Sequence, residues 1–171
     1  MNWNAIGALS EVVGAGAVVI SIIYLAIQVR QNTESNKSLA TQNLVNQNSD
    51  LVASFGGDPV RCALVQKGML EGLGSLTPEE RFRFNCNLLA IYNQFELAFH
   101  QHNDGNLKTV IWEKFAFEIP IWISTPGGKA WYEQDKARYS TEFNAYIAKS
   151  LASYTPVSIL PTIGYESAPD T

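Results

Sequence analysis

The sequence predicts an all-α protein in which an N-terminal transmembrane helix continues into a long helix packed with a small helical bundle. Three observations predict it. From Ala5 to Val29 the chain is almost uninterrupted Ile, Val, Leu, Ala and Gly, and it stops at Arg30. Beyond that run, apolar residues recur at intervals of three and four, the period of one helix face. No alternating run of strand length appears.

The first element is the span. A hydrocarbon core about 30 Å thick needs about 20 helical residues, whereas an apolar stretch of about 10 to 14 is more often a buried core helix. Even counted from Val12, after the single carboxylate Glu11, the uncharged stretch reaches Val29, at the lower edge of the spanning range. Trp3 and Tyr24 lie toward its ends, where amphipathic rings favour the headgroup region. A cleaved signal peptide, the main rival, calls for a basic stretch ahead of a shorter apolar one, and Met1 to Ala8 holds no Lys or Arg. A retained anchor over residues 1–30 is therefore expected. Arg30 and Lys37 follow the span and the uncharged amino terminus precedes it, so the positive-inside bias predicts a cytoplasmic body.

Within the span, Gly7, Gly14 and Ser21 fall seven apart, with Ser10 and Ala17 at the intervening plus-three positions. Five small side chains on one seam would let two helices approach closely, and such packing stands in for the hydrophobic drive that lipid lacks. The plainer reading is that Gly and Ala are common in membrane helices. Glu11 either marks a polar contact in hydrocarbon or sits where the hydrocarbon begins and reaches headgroup water; the length of the run after it favours the second.

Residues 31–152 read as the helical body. Residues 30–55 follow the span without Gly or Pro, and Ala40, Leu44, Leu51 and Phe55 fall on one face, beside a polar, nearly uncharged surface of Asn and Gln. Asn is a weak helix former, so packing should hold this segment. Gly56-Gly57 ends it, and Asp58-Pro59 starts a short helix with a cap acceptor and a proline at the first helical position. Thr77-Pro78-Glu79-Glu80 starts the next, which should run to about His102 and face the core with Phe82, Leu88, Leu89, Tyr92, Phe95 and Phe99. Asn103 to Asn106 is a turn. A helix from about Leu107 to Ser124 carries Trp112, Phe115 and Trp122, and Pro120 should kink or end it. Thr125-Pro126-Gly127-Gly128 should break the chain, a short helix is expected around Trp131 to Tyr139, and Ser140-Thr141-Glu142 caps a last helix with Phe143, Tyr146, Ile147 and Leu151. Prolines 156, 161 and 169 predict a loosely ordered tail over residues 153–171.

With 171 residues, less the anchor, the chain has room for one further domain. The net charge of −4, with 12 Lys and Arg scattered among 16 Asp and Glu, argues against nucleic acid as a partner. Cys62 and Cys86 form no CxxC and lack a flanking basic cluster, so they read as structural thiols.

The segments Trp3-Asn4-Ala5-Ile6-Gly7-Ala8 and Ile23-Tyr24-Leu25-Ala26-Ile27-Gln28-Val29-Arg30-Gln31-Asn32-Thr33 resemble the opening of a widespread family of uncharacterised bacterial single-span membrane proteins. The resemblance continues through Leu76-Thr77-Pro78-Glu79-Glu80-Arg81, Phe95-Glu96, Trp112, Pro126-Gly127, Trp131 and Glu142-Phe143, and stops near Leu151. It implies a bacterial inner-membrane protein with a small helical body. It brings no activity and no catalytic residues.

One polar pair invites chemistry. Glu96 and His100 are four apart on a helix face, with His102 following, and two such ligands can begin a metal site. A closed site needs three or four ligands and no HExxH or Cys cluster supplies them, so the expectation is no metal and no cofactor. Glu96 is expected to hydrogen-bond a Trp or Tyr of the aromatic core, and His100 to sit near a helix end. No nucleophile elbow, phosphate loop or dinucleotide fingerprint is present, so an enzyme is disfavoured. The leading expectation is a membrane-anchored interaction or scaffold protein with the bilayer, a second copy through the span and a protein as partners. The alternative is a small-ligand sensor or unrecognised enzyme, with an aromatic-lined pocket built from Tyr92, Phe95, Glu96, Trp112 and Trp131.

Overall fold

Helix α1 runs Trp3–Gly56, and five further helices follow it: α2 (Pro59–Glu71), α3 (Pro78–Asn103), α4 (Thr109–Ser124), α5 (Pro126–Asp135) and α6 (Thr141–Ser153). This computed structural model describes residues 3–155, with the side chains of residue 11 and residues 14–155; among them there is no strand. Short 3-10 turns occupy Leu73–Ser75 and Lys136–Arg138. The expected tail lies, from residue 156 on, outside the described residues. The chain divides into two compact units, Met1–Asn43 and Leu44–Thr171.

The first unit is helical throughout its described length. In the second, the last turns of α1 join α2 to α6 around a core of buried aromatic and aliphatic side chains. Leu44 is fully buried there, with Leu51 and Phe55 partly so, and the buried Gln94 carboxamide donates to the Leu44 carbonyl at 3.2 Å. Arg61 of α2 ties the same corner together. Its guanidinium donates to the Asn87 carboxamide oxygen and the Ser54 hydroxyl, and lies 4.2 Å over the Phe55 ring.

The helix starts are local chemistry. The Asp58 carboxylate accepts the Arg61 amide at 3.0 Å, with Pro59 at the first helical position. A full capping box opens α3: the Thr77 hydroxyl accepts the Glu80 amide at 3.3 Å, and the Glu80 carboxylate accepts the Thr77 amide at 2.8 Å. The Thr77 backbone and the Lys67 ammonium together hold the Glu80 carboxyl below the usual carboxylate range. At the end of α2, Gly72 takes φ 86°, a left-handed conformation that other residues adopt only at a cost.

Helix α3 contributes more buried side chains than any other described helix and packs against α2 and α4. Its buried stripe is Phe84, Leu88, Ile91, Tyr92, Phe95, Ala98 and Phe99, spaced by three and four. Phe82, expected on that stripe, is 69% exposed instead. Two positions before Phe84 on a helix is about 200° around the axis, so the two rings face opposite ways.

Two expected interruptions are smaller than their composition suggests. Helix α4 continues through Pro120 to Ser124. A proline inside a helix costs about 3 kcal/mol, and burial of Ile119, Pro120 and Ile123 offsets that cost. The chain does break at Thr125, which ends α4 in an extended conformation, but the break is one residue long: the Thr125 hydroxyl caps α5 by accepting the Gly128 amide at 3.1 Å, and Pro126, Gly127 and Gly128 form the first turn. The two glycines are there for space. A Cβ on Gly127 would lie 2.7 Å from the Gly68 carbonyl carbon and nearer still to its oxygen, so α2 and α5 meet backbone to backbone. Cys62 and Cys86, expected as structural thiols, are free and exposed.

Candidate functional site

Residues 14–43 present the most unusual surface of the described chain. Val18, Val19, Ile20, Ile22, Ile23, Tyr24, Leu25, Ile27 and Val29 are 50–69% exposed, and they surround the helix rather than forming one stripe. One helix among the described residues is long and apolar enough to cross a membrane, and its most apolar stretch is not buried by any other described residue. The rival reading of an apolar helix buried in a soluble core does not describe such a surface.

Of the five seam residues, Gly7 and Ser10 lie where only the helical backbone is described. Gly14, Ala17 and Ser21 are exposed. A Cβ on Gly14 would meet nothing within 4 Å, so no contact among the described residues requires a glycine there, although glycine costs a helix about 1 kcal/mol relative to alanine. The Ser21 hydroxyl donates to the Ala17 carbonyl at 2.8 Å and needs no outside partner. A shallow hollow of about 310 Å3 follows these small side chains, lined by Ala17, Val18, Ser21, Ile22 and Leu25. Toward the end of the apolar run the Gln28 amide donates to the Tyr24 hydroxyl at 2.8 Å, pairing two polar groups on the helix surface.

The second candidate, Glu96 with His100, comes together with a residue that sequence spacing does not point to. Glu96 accepts the backbone N–H of Ser140 at 2.7 Å, and the His100 Nε2 lies 3.1 Å from the Ser140 hydroxyl. Ser140 is the cap of α6, accepting the Phe143 amide through the same hydroxyl at 3.3 Å. Glu96 therefore bonds a helix start, not a Trp or Tyr as expected. Its carboxylate satisfies one of the orphan donors at the positive end of α6.

A serine, a histidine and a glutamate in contact suggest hydrolytic chemistry, but the geometry is wrong for it. In a catalytic triad the carboxylate holds one ring nitrogen while the other takes the serine proton. Here the Glu96 oxygen, at 3.8 Å, and the Ser140 hydroxyl face the same Nε2. The node is a structural clamp between α3 and α6. His102 stacks on Trp112, 5.6 Å between centroids and 11° between planes, and takes no part in it. Among the described residues no three His, Cys, Asp or Glu side chains gather as metal ligands would.

The aromatics offered for a ligand pocket pack on one another. Tyr92, Phe95, Trp112 and Trp131 are all buried; Tyr92 lies 5.4 Å from Phe95 and 5.1 Å from Trp131 between centroids, and its hydroxyl donates to the Ile119 carbonyl. Burial pushes the Tyr132 phenol up to about 12 and raises those of Tyr92 and Tyr139 as well. The Tyr139 hydroxyl is buried without a hydrogen-bond partner among the described residues.

Sequence reasoning missed a hollow of about 420 Å3 where the start of α3 meets the end of α5, lined in part by Arg81, Phe82, Asn85, Trp131 and Asp135. Its two halves are some fifty residues apart in the chain, and the only local sign of it is Phe82 off the core face. No protein-family model, curated protein or solved structure matches this chain. The resemblance to the single-span family therefore rests on the quoted residues alone.

Proposed function

We propose that this chain is a membrane-anchored helical interaction or scaffold protein of the bacterial inner membrane, with one span, a cytoplasmic body and a protein partner on that side. A single observation carries the reading: nine large apolar side chains between Val18 and Val29 stand exposed around α1. Each would gain about 1.5–3 kcal/mol on leaving water, so the segment belongs in lipid or against another molecule. Arg30 and Lys37 supply the orientation.

Within the bilayer the span associates with a second copy through Gly7, Ser10, Gly14, Ala17 and Ser21. What supports this is the exposure of Gly14, Ala17 and Ser21 and the absence, among the described residues, of any contact that calls for a glycine at 14. A ligand pocket at Glu96 has less support, because the aromatic side chains meant to line it fill the core. Crosslinking from intact membranes tests both halves. A single co-purifying protein and a chain dimer are expected, with Gly14→Leu reducing the dimer; an unchanged oligomer in Gly14→Leu refutes the seam, and no captured protein refutes the scaffold.

A further inference from the structure

The hollow between α3 and α5 carries chemistry that the membrane reading does not use. Arg81 donates one guanidinium N–H to the Leu73 carbonyl at 2.9 Å, which fixes its position, and no ion pair joins it to a carboxylate among the described residues. Asp135 lines the same hollow with its side chain 16% exposed, paired through one oxygen to Arg138. A cation and a carboxylate thus line one opening without closing on each other.

The other groups make the opening selective. Trp131 donates its indole N–H to the Asn85 carboxamide oxygen at 2.8 Å. Because an indole can only donate, the Asn85 amide is held with its two N–H donors on the other side. Phe82 stands on the rim with 69% of its surface exposed, an apolar ring with nothing of its own to cover. The helix ends reinforce the charges. Arg81 lies in the first turns of α3, where the dipole is positive, and Asp135 is the last residue of α5, where it is negative.

We propose that this hollow binds an amino-acid-like zwitterion with an apolar side chain. The carboxylate meets Arg81 and the Asn85 amide, the ammonium meets Asp135 at the end of α5, and the side chain lies against Phe82 and the Trp131 edge. The volume of about 420 Å3 is in the usual range for a small-molecule site, about 300–1,000 Å3. This goes beyond the scaffold reading and does not rest on it.

The test uses the full chain in nanodiscs with L-phenylalanine as probe, followed by calorimetry and saturation-transfer NMR. Phenethylamine and 3-phenylpropanoate, each keeping one of the two charges, serve as the dissecting probes. L-Phenylalanine should bind with a Kd of about 1 mM or tighter. Arg81→Gln should weaken it about tenfold and abolish binding of 3-phenylpropanoate while sparing phenethylamine; Asp135→Asn should do the converse. Phe82→Ala, which removes an exposed ring with no packing role, should weaken all three and guards against misfolding of the charge variants. Arg83→Gln, a cation two residues away that is paired to Glu79, should change nothing. The proposal is overturned if L-phenylalanine fails to bind at about 10 mM, or if its binding survives Arg81→Gln, Asp135→Asn and Phe82→Ala undiminished.

Discussion

Gly127→Ala is the substitution in which helix propensity and packing disagree most sharply. Propensity alone favours it, because alanine in place of glycine stabilises a helix by about 1 kcal/mol. The structure reverses the sign. The added methyl would fall on the Gly68 carbonyl, 2.7 Å from its carbon and 3.2 Å from the Met69 Cα, and all of these are backbone atoms that cannot rotate away. Helices α2 and α5 would have to separate by on the order of 1 Å, loosening the packing of Gly68 on the Phe84 ring as well. Overpacking of this kind costs about 1–3 kcal/mol where side chains can yield, so a backbone clash should reach about 3 kcal/mol. For a body of this size that lowers the melting temperature by about 10 °C. Circular dichroism melts of the full chain in detergent read it, with Gly56→Ala as the control, since a Cβ there meets nothing within 4 Å. A Gly127→Ala melt at or above that of the parent would refute the close crossing of α2 and α5.

Glu96→Ala should destabilise the body by about 1–2 kcal/mol, because the Ser140 N–H loses its acceptor, and Glu96→Gln should recover part of that; equal melts for Glu96→Ala and the parent would remove the clamp between α3 and α6. Alkali should unfold the body. The Tyr132 phenol rises from 10.0 to about 12 on folding, so the stability it contributes is complete below pH 10 and is lost as pH climbs toward 12. Tyr132→Phe should flatten that part of the pH profile, and an unaltered profile would count against a buried phenol.

Much of the fold is legible because helix starts are written within four residues. Asp58-Pro59, Thr77 with Glu80, and Ser140 each make the cap bonds their spacing implies. What is not legible depends on residues far away in the chain. Thr125-Pro126-Gly127-Gly128 has the composition of a break; the Gly68 carbonyl, brought in by α2, explains Gly127, and the Trp122 carbonyl at the end of α4 explains Gly128. Pro120 reads as a helix kink or end because its penalty is local, whereas the burial that offsets it is tertiary.

The candidate sites divide the same way. The seam from Gly7 to Ser21 is visible as heptad spacing along one helix. The pairing of Glu96 with His100 is visible as a spacing of four, yet its partner Ser140 lies on another helix and turns a supposed ligand pair into a clamp. Phe82 and Phe84 are chemically identical and only two apart; which one faces the core is decided by the helices packed on α3.

The central claim is that α1 carries this chain across a membrane. Alkaline carbonate extraction of cells expressing the full chain, followed by flotation and protease treatment of inverted vesicles, tests it most directly. The chain should stay with the floating membranes, and protease should remove the body from inverted vesicles while leaving it intact in right-side-out ones. Release of the chain into the alkaline supernatant would contradict the span, and protection of the body in inverted vesicles would contradict its orientation.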